Sequence, residues 1–523
     1  MTDTMQPVAA PPGVARNRRT PRWWADVAGV AAGLSVLVVT ALWVGNGGVQ
    51  QVIGGGSGAV TATGRLTGLW ASDLLLLQVL LMARIPIAER VFGQDRLARW
   101  HRWIGFTSFW LMVAHIVLIV LGYAGAADTN VFGELWDMIW TYPGMLLATA
   151  GTSALVMVVV TSIRVARRKL RYESWHLLHL YAYLGVGLAL PHQLWTGADF
   201  LASPVSTVYW WTLYAVSAGA VVTYRIGVPL VMNHRHRLVV SRVTTEGPGL
   251  TSVYLTGRDL DRLPVRAGQF FQWRFLDGPG WTRAHPYSLS ATPHGRELRI
   301  TVKDLGDGSS RVASLRPGVR ALAEGPYGAL TADTWTGGPV VLIGCGIGVT
   351  PLLALLGELP YRPGEATFVY RARSEEEVAF RAELEWFAHH RGVRLILLLG
   401  PRADRPSWLP AHHAGHANAA MPRHPGTAMS RRPDTAMPGR SDTAMPGRSD
   451  TAMPGRSDTA VPGRSDAAVP RHPDADTLRG LVPDIARSHA YLCGPAEWTA
   501  AARTAAELAG TPAGHVHTEQ FSW

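Results

Sequence analysis

The chain has 523 residues, is 47% hydrophobic and only 17% charged, and carries a formal net charge of +11. Lys169 and Lys303 are its only lysines, and no nucleic-acid motif accompanies the charge, so it reads as arginine bias plus basic loops and excludes a nucleic-acid partner. Two cysteines, Cys345 and Cys493, exclude a disulfide framework and a cysteine zinc site, while the length allows three or more domains.

Residues 1–23 form a basic tail. The apolar run Val27–Val44 follows without a small-residue cleavage site and reads as a retained span. Six spans are expected between 24 and 232, at about 24–45, 66–86, 103–122, 144–163, 175–195 and 207–231, each near the length that crosses a bilayer. The tail, the second-to-third loop (Arg84, Arg90, Arg96, Arg99, Arg102), the loop RVARRKLR and the exit through Arg225 and NHRHR are basic. The intervening loops are glycine-rich or mildly acidic. This alternation places both termini and the soluble half in the cytoplasm of a multi-pass cell-membrane protein.

Ionisable groups inside spans are costly and usually functional. His101 and His115 are 14 residues apart, about 21 Å of rise and about 40° from sharing a helix face. His179 and His192 are 13 apart, about 20 Å. The third and fifth spans run in the same direction, so His101 matches His179 in depth and His115 matches His192. Two haems, each held by two imidazoles from facing helices, fit this pattern. Thirteen residues of ideal helix also rotate by about 220°, which puts His179 and His192 on different faces unless Gly185, Gly187 or Pro191 distorts the helix. His176 is a rival to His179.

From 233 to 335, short β-rich runs separated by turn residues read as a small antiparallel β-barrel. HPYSLS at 285–290 offers a tyrosine ring, Tyr287, to lie on a flavin plane and a hydroxyl, Ser288, to bond it. Arg283 and His285 are candidate donors to ribityl or phosphate groups, with Pro286 between them and the ring. Gly308, Ser309 and Ser310 offer small residues and backbone N–H groups to a pyrophosphate.

From 336 to 523, strands alternate with helices, the signature of an open parallel α/β sheet. GCGIGVTP at 344–351 follows a buried strand and opens a helix. Gly344, Gly346 and Gly348 allow a phosphate close to the backbone, and Thr350 and Pro351 enter the first turn. The next strand ends YRARS with no acid for a ribose hydroxyl, so Arg371 and Arg373 favour a 2′-phosphate and NADPH over NADH. Cys493, Gly494 and Pro495 end another strand at the ligand edge, where Cys493 can sit by the nicotinamide. Near the terminus, Phe521 or Trp523 can cover the flavin face. A repeat, RSDTAMPG at 440–447 and 448–455 with degenerate copies after it, lies in an insertion, 402–476, whose composition suits a disordered loop.

In this order, the two histidine pairs, HPYSLS, EGPYG (324–328), GIGVTP and CGP resemble the ferric reductase and NADPH oxidase superfamily over about 24–400 and 478–523. The resemblance implies a membrane all-α six-helix haem bundle, then a β-barrel FAD domain and a ferredoxin-reductase-like α/β parallel-sheet domain for NADPH. It implies His101, His115, His179 and His192 as haem ligands, His285 to Ser288 at FAD and Gly346 to Pro351 at the nucleotide. The repeats replace a compact loop, and Trp523 is extra beyond Phe521. The expected function is electron transfer from NADPH through FAD and two b-type haems to ferric iron, oxygen or a quinone outside. A protein electron acceptor is one rival. A nucleotide-regulated transporter or sensor is the other, disfavoured by the lack of an inverted repeat or a paired intramembrane carboxylate.

Overall fold

The computed structural model describes residues 23–163, 172–278, 280–306, 308–411 and 472–521. The basic tail before Trp23, the loop RVARRKL, most of the insertion and Trp523 lie outside the described residues.

Long helices fill the first half: α1 (Trp23–Gly45), α2 (Gly56–Met82), α3 (Gln94–Ala127), α4 (Met145–Ser162), α5 (Tyr172–Trp195) and α6 (Pro204–Val221). A π turn, Val222–Gly227, carries α6 on into Val228–His236. Five of these, α1 to α4 and extended α6, are long and apolar enough to cross a membrane. The expected fifth span, α5, is a 24-residue helix outside that set. Glu173, His176, His179, Pro191, His192 and Gln193 interrupt its apolar run. The chain is a multi-pass membrane protein, and its described residues hold five apolar spans and one long helix marked by polar side chains.

Small residues set the helix spacing. Gly64 and Gly68 of α2 form a GxxxG step facing α3, where a β-carbon on Gly64 would lie 3.0 Å from Leu118 and one on Gly122 would lie 2.2 Å from Thr61. Gly151 of α4 lies against the backbone of Gly185 on α5 in the same way. Without a hydrophobic drive between helices in lipid, close backbone approach of this kind holds them together.

The soluble half begins with two three-stranded antiparallel sheets, ordered β1-β2-β5 and β4-β3-β6. Their strands are β1 (Val239–Gly247), β2 (Leu250–Thr256), β3 (Phe270–Phe275), β4 (His285–Ser288), β5 (Leu298–Lys303) and β6 (Ala321–Tyr327). Isolated bridges, Val239 to Arg320 and Leu289 to Ile300, join the sheets at both edges. Phe271, Trp273, Leu255 and Ile300 fill the space between them.

A five-stranded parallel sheet follows, ordered β11-β10-β7-β8-β9. It comprises β7 (Val340–Cys345), β8 (Ala366–Ala372), β9 (Arg394–Leu399), β10 (His489–Pro495) and β11 (Val516–Phe521). Helices α7 (Val349–Glu358) and α8 (Arg381–Arg391) cover one face, and α9 (Pro473–Leu481) and α10 (Ala496–Leu508) the other. The insertion is narrower than 402–476: Trp408 and Leu409 are fully buried against Leu478, and α9 begins at Pro473. These apolar side chains pack as core, which the polar composition around them concealed.

Candidate functional site

The bundle brings both histidine pairs together. The rings of His101 and His179 are 5.9 Å apart between centroids, and those of His115 and His192 are 6.4 Å apart. The rotation expected along α5 does not separate its two histidines. Pro191 stands inside that helix immediately before His192, where it removes one backbone hydrogen bond and loosens the helical register.

Each of the four rings has Nδ1 engaged. Nδ1–H of His101 donates to the Gln78 carbonyl at 3.2 Å, and that of His115 to the Gly64 carbonyl at 2.8 Å. Thr196 gives its own proton to the His192 carbonyl and so accepts from His192 Nδ1 at 2.6 Å. Ser162 lies 3.3 Å from His179 Nδ1. Among the described residues no hydrogen bond engages Nε2 of any of the four. A bond at one ring nitrogen fixes the tautomer and leaves the other as the donor to a metal. All four rings line one cavity of about 1220 Å³ between the helices, larger than the roughly 300–1,000 Å³ of a typical single-ligand site.

The residues fit an axially ligated planar metal group. Two metal–imidazole bonds of about 2 Å each put facing nitrogens about 4 Å apart and ring centres near 6 Å. Among the described residues no group of three or more His, Cys, Asp or Glu stands together to hold a metal ion; the four imidazoles face one another in two pairs. His176 is not one of the four facing rings.

In the soluble half, Tyr287 is buried and lies 6.0 Å from the His285 ring, nearly parallel to it. Burial pushes its hydroxyl well above the ordinary tyrosine range. Ser288 is buried, and its hydroxyl has no hydrogen-bond partner among the described residues. An orphaned buried hydroxyl costs free energy unless something bonds it, and a flavin edge is such a partner. A second cavity, about 240 Å³, is lined by Arg283, His285, Gly308, Arg311 and Trp281. Gly308 is required there, because a β-carbon would meet the His285 ring at 2.5 Å. Ser309 turns its hydroxyl back to the Gly306 carbonyl at 2.7 Å, so it shapes the loop rather than reaching out. Ser310 starts the short helical turn Ser310–Ser314.

The glycine turn divides its labour. Gly346 has a positive φ of 54° and open space where a side chain would be, which suits close approach by a ligand. Gly348 instead packs on β10, its β-carbon position 2.3 Å from the Cys493 carbonyl, and Gly344 packs on Leu352. Thr350 and Pro351 are buried, and the Thr350 hydroxyl donates to the Ile347 carbonyl at 2.9 Å. Pro495 is exposed at the strand end, while Gly494 sits beneath the Trp498 ring.

Two expectations are corrected. Cys493 is fully buried in the core beneath the sheet, and burial pushes its thiol well up, so it offers no thiolate at the ligand edge. Arg371 is also buried and donates to the carbonyls of Ala372 and Pro401. That leaves Arg373, which is exposed, as the basic group at the end of β8. Helices cover both faces of the sheet, so β8 and β10 are buried at nearly every position and neither side chain can reach solvent by alternation. Phe521 ends β11 opposite Pro495. Just before it, Glu519 meets Gly328 of the EGPYG segment, within 3.5 Å of that glycine's β-carbon position. Gly328 also faces Phe270, which pairs with Ser288. The stretch of β11 at Glu519, the EGPYG segment and the HPYSLS strand therefore border one seam.

Sequence reasoning missed the partners of the histidines: two are backbone carbonyls, Gln78 and Gly64, which carry no residue-type signal, and two are the hydroxyls of Thr196 and Ser162. It also missed Asp73, a buried acid within α2 held by Ser35 at 2.7 Å and Tyr209 at 2.6 Å.

A family model described as "Ferric reductase like transmembrane component" matches residues 67–190. The chain is 32% identical over 151 residues to ferredoxin–NADP reductase B of Sorangium cellulosum, covering 28% of this chain and 60% of that protein. It is 32% identical over 195 residues to a flavohemoprotein of Chromobacterium violaceum, covering 35% and 48% respectively. The chain thus spans about half the length of these curated relatives. A solved flavohem-like FAD/NAD-binding domain of a nitric oxide dioxygenase from Vibrio cholerae aligns at 20% identity with a TM-score of 0.35, over 55% of this chain and 99% of that one.

Proposed function

We propose that this chain, a ferric-reductase-like transmembrane domain fused to a ferredoxin-reductase-type module, is a membrane oxidoreductase that carries electrons from NADPH through FAD and two b-type haems to an acceptor across the membrane. The observation that carries the reading is the pairing of His101 with His179 and His115 with His192, every Nδ1 engaged, along one cavity.

His101 and His179 would hold one haem, and His115 and His192 the other. Tyr287, Ser288, Arg283 and His285 would hold FAD, with Gly308 to Ser310 at its pyrophosphate. Gly346, Arg373 and Pro495 would border the nucleotide. When bound, FAD exchanges a hydride with nicotinamide and passes on single electrons, which haem iron accepts one at a time. The chain supplies position and environment. The Gln78 and Gly64 carbonyls and Thr196 orient the imidazoles. Apolar side chains around the cavity, among them Leu69, Met112 and Ile116, exclude water. Phe521, the last residue of β11, would be the aromatic that covers the flavin face when FAD is bound. Ferric iron, oxygen or a quinone is the acceptor, and the soluble half lies in the cytoplasm, a placement that the basic loops of the sequence support.

The test is an absorption spectrum of the purified protein. Two low-spin b-type haems per chain, reduced on adding NADPH, are expected. A protein that binds no haem when expressed with haem in excess overturns the reading and returns the transporter alternative.

A further inference from the structure

The two halves of the chain meet at one end of the bundle, and charged and aromatic groups join them. Arg84, just past the end of α2, lies 4.0 Å from the centre of the Tyr327 ring and pairs with Glu89 at 2.9 Å. Arg225, on the π turn after α6, pairs with Glu324 at 3.1 Å. Arg274 of β3 approaches the other oxygen of that carboxylate at 3.6 Å, and the Tyr327 hydroxyl donates to it at 2.8 Å. Asn233 holds the backbone of Ala323 twice: its amide donates to the carbonyl at 2.7 Å and accepts from the N–H at 2.9 Å. These contacts fall on β6 between 323 and 327; His236 at the end of the same helix also bonds the Arg258 backbone.

These residues belong to the His101–His179 end. Gln78, whose carbonyl accepts from His101, lies four residues, about 6 Å of helical rise, before Met82 at the end of α2, and Arg84 follows two residues on. His176 lies one turn before His179 on α5 and within electrostatic reach of Arg225, Glu324 and Arg274. A π turn re-aims the side chains it carries and recurs at functional positions; here it carries Arg225.

We propose that Arg84, Arg225 and Asn233 form a clamp that seats the flavin-binding unit against the His101–His179 pair, and that electron transfer from flavin into the bundle depends on it. This rests on the electron-transfer reading above. Glu324 is the pivot, a half-buried carboxylate shared by two guanidiniums and a phenol. Ion pairs at such junctions fix register and orientation more than they add stability. Arg84 and Arg225 are positioning residues. They touch no substrate, and they act by setting the distance between the HPYSLS–EGPYG sheet and the nearer histidine pair. The bonds from Asn233 to the Ala323 backbone hold the strand itself, so losing the arginines leaves β6 tethered but free to tilt.

The experiment uses the full-length protein in detergent, loaded with FAD and haem, as wild type, as the Arg84→Ala/Arg225→Ala double variant and as the Arg84→Lys/Arg225→Lys double variant. Two rates are read after adding NADPH: reduction of ferricyanide, which draws electrons from flavin, and the rise of the reduced-haem absorption band. The alanine variant is expected to keep its haem content and ferricyanide rate and to lose at least about tenfold in haem reduction, the scale on which a small misplacement acts. The lysine variant is expected to recover most of the loss. Haem reduction at the wild-type rate in the alanine variant overturns the clamp, as does an equal fall in both rates. A haem-loaded wild type that NADPH cannot reduce overturns the electron-transfer reading and the clamp with it.

Discussion

A β-carbon placed on Gly68 would lie 2.4 Å from Nδ1 of His115. The glycine sits under the imidazole, one turn from Gly64, whose carbonyl accepts from that same nitrogen. The GxxxG step thus does two things: it brings α2 against α3, and it makes room for a ring that must stand edge-on to the cavity. Gly68→Ala should push the ring off its carbonyl and disable the His115–His192 pair while leaving His101–His179 intact. Haem extraction should then give about one haem per chain instead of two. Gly58→Ala, where nothing lies within 4 Å, should leave the content unchanged.

Ser288 gives a prediction with two opposite signs. Its hydroxyl is buried without a partner, a penalty of about 1–3 kcal/mol on the flavin-free fold. Ser288→Ala should therefore leave the flavin-free protein as stable as wild type or more so, and weaken FAD binding. Thermal midpoints with and without added FAD check both halves. A variant that loses stability without FAD and binds it normally would assign the hydroxyl to packing alone.

The histidine pairs were legible because depth along a helix follows from residue count alone. Their rotation was not, since ideal-helix arithmetic puts His179 and His192 on different faces, yet both rings line one cavity in the structure. The HPYSLS and glycine-turn segments were legible as segments, but not the direction each side chain takes. Cys493 and Arg371 both stand where a parallel sheet meets its ligands, yet both are buried, because helices cover both faces of that sheet and Arg371 turns to the Pro401 carbonyl. The edges of the insertion carried a visible signal, Trp408 and Leu409 in an otherwise polar stretch, which the neighbouring repeats outweighed. The junction contacts of Arg84, Arg225 and Glu324 join residues up to 243 positions apart, from Arg84 to Tyr327, and nothing local marks them.

Trp408 tests where the folded domain stops. It is fully buried, and its indole donates to the Asp474 carbonyl at 3.2 Å. Ser407 donates to the Asp474 carboxylate at 2.7 Å, and Arg405 pairs with it at 3.0 Å. The two ends of the insertion are thus tied to each other. Trp408→Ala should destabilise the nucleotide-binding domain by about 3–5 kcal/mol through the cavity it leaves, seen as a lowered denaturation midpoint. Replacing 412–471 by a short glycine–serine linker should leave that midpoint within about 1 kcal/mol of wild type, because closure entropy changes slowly with loop length.

His517 makes stability depend on pH. On β11 it lies 3.2 Å from His489 Nδ1 and stacks on Tyr491 at 4.8 Å. Burial, with the adjacent His489 and His515, lowers its pKa from the usual 6.5 to about 4. The folded chain therefore keeps this ring neutral where the unfolded chain protonates it. Above pH 6.5 neither state takes up the proton, and the stabilisation is fully present. Between 6.5 and about 4 the unfolded state binds the extra proton, and stability falls by at most about 1.4 kcal/mol per pH unit. Below about 4 both states are protonated and the loss levels off. Denaturation midpoints of the whole protein from pH 7.5 to 5 should fall accordingly, and His517→Gln should flatten the slope. An unchanged slope in that variant would place the pH dependence elsewhere.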